Sequence, residues 1–301
     1  MIPLLPDISV VVTVLIVAGA VTIVGLDRIW EFRTEASDRL FYLFPYILLL
    51  VCVLIVNSVL RAVGPRLSWL LNWQITDEIF ALEGEFVAVL QSYATPAATV
   101  YFSYTYIYGY VFLLVFPVVA YLVMRDDRPV RETIISYALN YVIGVFCYLL
   151  FIAYGPRNVM PDIVDQLLYV YWPEANLLTT EVNANVNVFP SLHTSLAVTV
   201  ALLAYRTREE YPAWLPISVV LALSVIVSTM YLGIHWLTDV VAGAVLACIS
   251  VRAAAWLTDP SNLDGRVGTV GRRLREPIDR FARAGVERLR KFTSERIDLP
   301  I

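Results

Sequence analysis

His193 and His235 are the only histidines in the 301-residue chain, and both stand among residues that could do proton and nucleophilic chemistry. His235 lies in Tyr231-Leu232-Gly233-Ile234-His235-Trp236-Leu237-Thr238-Asp239. On a helix, a carboxylate four residues on falls on the same face, about 5 to 6 Å away at Cβ. It can accept a hydrogen bond from one ring nitrogen and leave the other with its lone pair turned to an electrophile. His193 closes Phe189-Pro190-Ser191-Leu192-His193, which predicts a helix start. Proline suits the first turn, the amides around Ser191 to His193 lack intrahelical acceptors, and the helix dipole favours an anion there. The Ser191 hydroxyl adds a donor, His193 stands where it could move a proton, and Arg157 could hold phosphate oxygens through its planar fork. Singly, each feature also has a structural reading: an interfacial histidine, a buried His-Asp pair, a helix cap, a snorkelling arginine. Only convergence on one face separates the two readings, and that depends on the elements that carry these residues.

Those elements belong to a membrane. Hydrophobic side chains make up 59% of the chain and charged ones only 16%, with a mean hydropathy of +0.69, too apolar for an ordinary soluble domain. The apolar residues gather into long runs, and about 20 residues at 1.5 Å each cross a hydrocarbon core about 30 Å thick. Seven runs qualify: Ile8 to Leu26, Phe41 to Leu60, Tyr101 to Met124, Thr133 to Pro156, the shorter Phe189 to Tyr205, Tyr211 to Ile234, and Trp236 to Val251. They exceed the length of barrel strands, and unpaired backbone groups are excluded from lipid, so an all-α bundle of about seven transmembrane helices is expected. Met1 to Ser9 carry no Lys or Arg, so the first run reads as a retained anchor rather than a cleaved leader.

Arginine placement orients the bundle, since positively charged loops tend to stay cytoplasmic. With the N-terminus outside, the inner segments hold Arg28, Arg33, Arg39, Arg125, Arg128, Arg131, Arg206, Arg208 and the basic tail; the outer ones hold only Arg61, Arg66 and Arg157. Both histidines then fall on the outer face, an agreement that the arginine count did not presuppose. Arg61 to Val100 mixes Trp69, Trp73 and Phe80 with Asp77, Glu78, Glu83 and Glu85, which predicts short interfacial helices or a lid. Asp259 to Ile301 holds ten of the 22 basic residues against seven acidic ones, a cytoplasmic tail either amphipathic or disordered. Cys52, Cys147 and Cys248 all fall within expected spans and nothing has metal-ligand spacing, so no disulfide framework, metal or cofactor is expected.

Phe-Pro-Ser-Leu-His followed about forty residues later by His-x-x-x-Asp resembles the type 2 phosphatidic acid phosphatase (PAP2) superfamily, and these forms most resemble its inositol phosphorylceramide synthase-like (inositolphosphotransferase) branch. The resemblance covers roughly Phe41 to Val251 and implies a six-helix catalytic core behind one N-terminal helix. The division expected is 1–40 as anchor and cytoplasmic loop, 41–258 as catalytic domain and 259–301 as tail. By position it implies His235 as the nucleophile of a phosphohistidine, Asp239 as its orienting partner, His193 as the proton donor to the leaving group, and Ser191 and Arg157 as phosphate-binding groups. The superfamily's phosphatases usually carry Lys where this chain has Leu150, Gly where it has Leu192 and Arg where it has Thr229. Leu192 is typical of the synthase-like branch. The expected activity is head-group transfer on a phospholipid or lipid phosphate in the bilayer, with a polyol or lipid alcohol as acceptor. Water as acceptor would make a phosphatase, and a phospholipid-binding or transport protein without chemistry is the alternative from another class. No nucleic-acid partner is expected.

Overall fold

The computed structural model of the chain describes residues 4–171 and 187–263. Nearly all of the basic tail expected over 259–301 lies outside the described residues. Helix α1 (Leu4–Gly19) runs into a π turn, Ala20–Val24, and α2 (Leu26–Leu71) follows after Gly25 alone. Between them and the centre of the chain come α3 (Thr76–Glu83), α4 (Phe86–Gln91) and α5 (Pro96–Tyr104), the last continued through a π turn, Thr105–Gly109, into α6 (Tyr110–Leu122). Helix α7 is Arg128–Leu150, and α8 (Pro156–Val159) and α9 (Leu167–Tyr171) are short. Helices α10 (Leu192–Arg206), α11 (Trp214–Tyr231) and α12 (Leu237–Thr258) complete the bundle.

Among the described residues, six helices are long and apolar enough to cross a membrane: those over Asp7–Val24, Leu26–Arg61, Pro96–Leu122, Arg128–Leu150, Trp214–Tyr231 and Leu237–Thr258. The expected span at Phe189 to Tyr205 becomes α10, whose 15 residues measure only about 22 Å at the helical rise. It is wrapped by α7, α11 and α12 instead of standing in lipid. Leu196, Ala197 and Val200 are wholly buried there. This is therefore an all-α membrane protein with six candidate spans around a shorter central helix.

Local chemistry explains several boundaries. Thr95 caps α5 by accepting from Ala98 N, with Pro96 in the first turn, where a missing N–H costs nothing. Helix α7 starts at Arg128 with Pro129 next, earlier than expected, so the charged loop Arg125 to Glu132 is mostly helix. The segment between the first two runs, expected as a loop, is also helical, because nothing between Leu26 and Arg39 interrupts the turn-to-turn hydrogen bonds. The interfacial stretch begins only after Leu71, and α3 and α4 supply its expected short helices.

Three extended pieces interlock above the bundle: Ile152 N donates to Trp73 O at 2.9 Å, Ile75 N to Ile152 O at 3.0 Å, and Val188 N to Ala153 O at 3.3 Å. The opposite end is ionic. Arg28 meets Glu210 at 3.0 Å, and the buried Glu132 takes Arg128 at 2.8 Å and Arg206 at 3.0 Å. Arg39 reaches the carbonyl oxygens of Leu122, Met124 and Arg125. The two ends of the bundle are thus chemically unlike.

Candidate active site

The end carrying the interlocked pieces gathers the C-termini of α7 and α11 and the N-termini of α10 and α12. His235 sits in the turn between α11 and α12, and Asp239 is the third residue of α12. Their pairing holds at 3.3 Å between Nδ1 and Oδ2, but the imidazole stands just outside the helix rather than on a shared helical face. The same Oδ2 accepts the amide of the N-cap residue Trp236 at 2.9 Å, which fixes the carboxylate beneath the ring. Gly233, at φ 72°, makes the turn possible. A side chain there would also run into Val164 and Asp165. Its carbonyl accepts Arg157 N at 3.1 Å, so the turn that presents His235 also seats α8.

His235 is 2% exposed and Asp239 fully buried. Burial above all, and then the positive charge of Arg157, pushes the His235 imidazole down from its ordinary value to about 3. The backbone carbonyl of Val188 also faces the ring. A neutral ring held by a carboxylate is what a nitrogen nucleophile requires.

His193, the second residue of α10, faces this ring with 6.4 Å between ring centroids. Its own ring is clasped by Tyr106 at 4.6 Å and Tyr110 at 4.4 Å. Arg157 is 7% exposed, its guanidinium lies 5.2 Å from the Tyr169 ring, and its buried Nη1 has no hydrogen-bond partner among the described residues. A buried cationic donor left open in this way is costly unless an anion completes it.

Ser191 is wholly buried and is the N-cap of α10, its Oγ accepting Thr194 N at 3.3 Å. A hydroxyl that accepts there still has a proton to donate. Pro190 precedes the cap and is not part of the first turn. The structure thus brings His193, His235, Asp239 and Arg157 together, with Ser191 beneath the start of α10.

Sequence reasoning missed several neighbours. Tyr106 and Tyr110 lie in an aromatic run that reads as an ordinary span, and only the π turn over Thr105–Gly109 aims them at His193. Arg61 of α2 lies 5.1 Å over the ring of Tyr148. The Tyr148 hydroxyl donates to Pro190 O at 3.0 Å, directly before Ser191. Glu83 of α3 accepts the amides of Leu237, at 2.8 Å, and Thr238, capping α12 beside Asp239. No local signal in α2 or α3 marks either residue for the site.

Leu192, where the superfamily's phosphatases have Gly, seats against α7 at Gly144. A Cβ on Gly144 would stand 2.6 Å from Leu192 Cδ2, so the larger residue on one helix is matched by the smallest on the other.

The sequence matches the PAP2 superfamily over residues 74–253, more than half of the chain. It is also similar to an uncharacterized protein of Methanocaldococcus jannaschii, 26% identical over 168 residues, 55% of this chain. The chain spans 64% of the length of that curated relative. No solved structure matches. The matched range takes in both histidine segments, Arg157 and every helix from α3 to α11, with most of α12. Motif order, helical frame and matched range agree: the chain belongs to the PAP2 superfamily.

Proposed function

We propose that the protein transfers a phosphorylated head group from a lipid donor to an alcohol acceptor through a phosphohistidine on His235. The observation that carries this reading is the buried, neutral His235 held at Nδ1 by Asp239 and set 6.4 Å, centroid to centroid, from a second imidazole. That separation leaves room for one phosphorus centre between the rings. In the first step the free nitrogen of His235 attacks phosphorus, the P–O bond to the departing alcohol breaks, and His193 gives that oxygen its proton. In the second, an acceptor hydroxyl attacks the phosphohistidine, its proton passes to His193, and the N–P bond breaks to restore His235. Asp239 offsets the charge on His235 while phosphorus is attached. Arg157, the first-turn amides of α10 and the Ser191 hydroxyl meet the charge on the phosphoryl oxygens.

Burial of His235 favours an alcohol acceptor over water, since a phosphohistidine in a closed site is screened from bulk solvent. Leu192 packed on Gly144 supports the same choice through the resemblance to inositolphosphotransferases. A polyol such as inositol or a lipid alcohol is the acceptor class. The site is on the extracytoplasmic face, because the opposite end carries Arg28, Arg39, Arg125, Arg128, Arg131 and Arg206. The catalytic domain then ends near residue 258 and the tail that follows is cytoplasmic.

The test uses purified full-length protein, lipids radiolabelled at the head-group phosphate, and added polyol, comparing wild type with His235→Ala. Label moving to a new lipid only with acceptor present and only in the wild type supports transfer. Free phosphate from the wild type alone makes the protein a phosphatase. No turnover, with equal lipid retention by both proteins, overturns the catalytic reading in favour of binding.

A further inference from the structure

We propose that Arg61 is a second phosphate-binding cation of this site, delivered by α2 from outside the region that matches the superfamily. This rests on the reading of the site as a phosphoryl-transfer centre.

Helix α2 crosses the bundle alongside α7 and arrives at the histidine end with Arg61 half-buried. An arginine near the end of a spanning helix usually extends its charge to the water interface. This one turns inward. Its guanidinium lies over the Tyr148 ring, whose residue is only 3% exposed, and it hydrogen-bonds that phenol. The phenol in turn reaches the Pro190 carbonyl, one residue before the cap of α10. The charge of Arg61 is also felt at both His193 and His235.

The seat of Arg61 is built, not incidental. On the next turn Gly64 lets α2 approach α7 closely, since a Cβ there would meet Leu149 at 3.1 Å. Two turns beyond Arg61, Ser68 Oγ donates to Tyr148 O at 2.8 Å. These contacts hold α2 in register with the residue on which Arg61 rests. Arg157 approaches from α8, and its contacts are with Tyr169 and the Gly233 turn, while Arg61 rests on Tyr148, whose hydroxyl reaches the Pro190 carbonyl before the α10 cap. A phosphate between the two imidazoles would therefore meet guanidinium from two separate elements. That suits a dianionic phosphate or a phosphodiester whose charge grows in the transition state.

The test takes the full-length protein with Arg61→Gln and Arg61→Lys, reading lipid turnover and, separately, the rise in melting temperature caused by inorganic phosphate. Expected for the glutamine variant are a KM and a phosphate inhibition constant raised about ten-fold or more, a much reduced thermal shift by phosphate, and partial recovery in the lysine variant. A merely structural arginine would lower stability without moving the phosphate dependence. Should the glutamine variant not fold, Arg61→Met keeps packing on the Tyr148 ring and carries the same comparison. Active wild type with unchanged phosphate inhibition in either uncharged variant overturns the role of Arg61 and leaves the proposed function standing. Wild type that binds phosphate through Arg61 but turns over no lipid overturns the function and leaves the cation site standing. Wild type indifferent to phosphate overturns the inference outright.

Discussion

Three local facts coincide on His235, the proposed nucleophile: burial, a carboxylate at Nδ1 and a positive charge nearby. Burial first, and then the Arg157 charge, hold the free ring neutral despite the carboxylate, so lowering the pH through the ordinary histidine range leaves it unprotonated. With only two histidines in the chain, carbon-13 labelling of the imidazoles lets NMR observe both in detergent. The His235 signal is expected to stay unshifted from about pH 8 to about pH 5, where a free imidazole would titrate near 6.5. A midpoint close to 6.5 would contradict the buried neutral ring. At this scale the sequence was informative where partners are close along the chain. The spacing of His235 and Asp239 predicted their contact, although the ring reaches the carboxylate across a helix cap and not along one face. Arg61 was legible only as an outer-end arginine, since its partner Tyr148 is brought to it by packing.

Elements position these groups through their ends. Helix α12 presents Asp239 on its first turn, and that turn is held by a carboxylate from another helix, Glu83 of α3. Negative charge at a helix N-terminus and the satisfied Leu237 and Thr238 amides together stabilise the turn. Glu83→Ala is expected to cost about 1 kcal/mol in chemical denaturation, with a lower kcat as Asp239 loses its fixed position. An unchanged kcat at reduced stability would confine Glu83 to a structural role. Helix existence was readable from hydropathy because spanning lengths need long apolar runs. Helix limits were not, since α2 continues from Leu26 to Leu71 through charged residues that hydropathy scores as a loop. Helix α10 is short for a span because neighbouring helices, not lipid, surround it.

Across the whole molecule the two ends have different tasks. The end opposite the histidines is tied by Glu132, 3% exposed, which joins α7 to α10 through Arg206 and to α12 through Thr258 at 3.3 Å. Its partners Arg128 and Arg206 are partly exposed. Glu132→Ala is therefore expected to cost about 1 to 3 kcal/mol, below the cost of breaking a wholly buried pair, because the freed guanidiniums can return to water. KM should stay at the wild-type value, read on the same lipid assay; a raised KM would mean that the ionic end sets the geometry of the distant site. The sequence by itself determined the membrane class, the helical architecture and the catalytic histidines as candidates, because composition and short spacings are properties of neighbouring residues. Tertiary structure alone decided that α2 sets Arg61 over Tyr148, that Tyr106 and Tyr110 clasp His193, and that α3 caps α12. Those contacts join residues far apart in the chain, and they exist only where close packing of helix against helix selects one register from many.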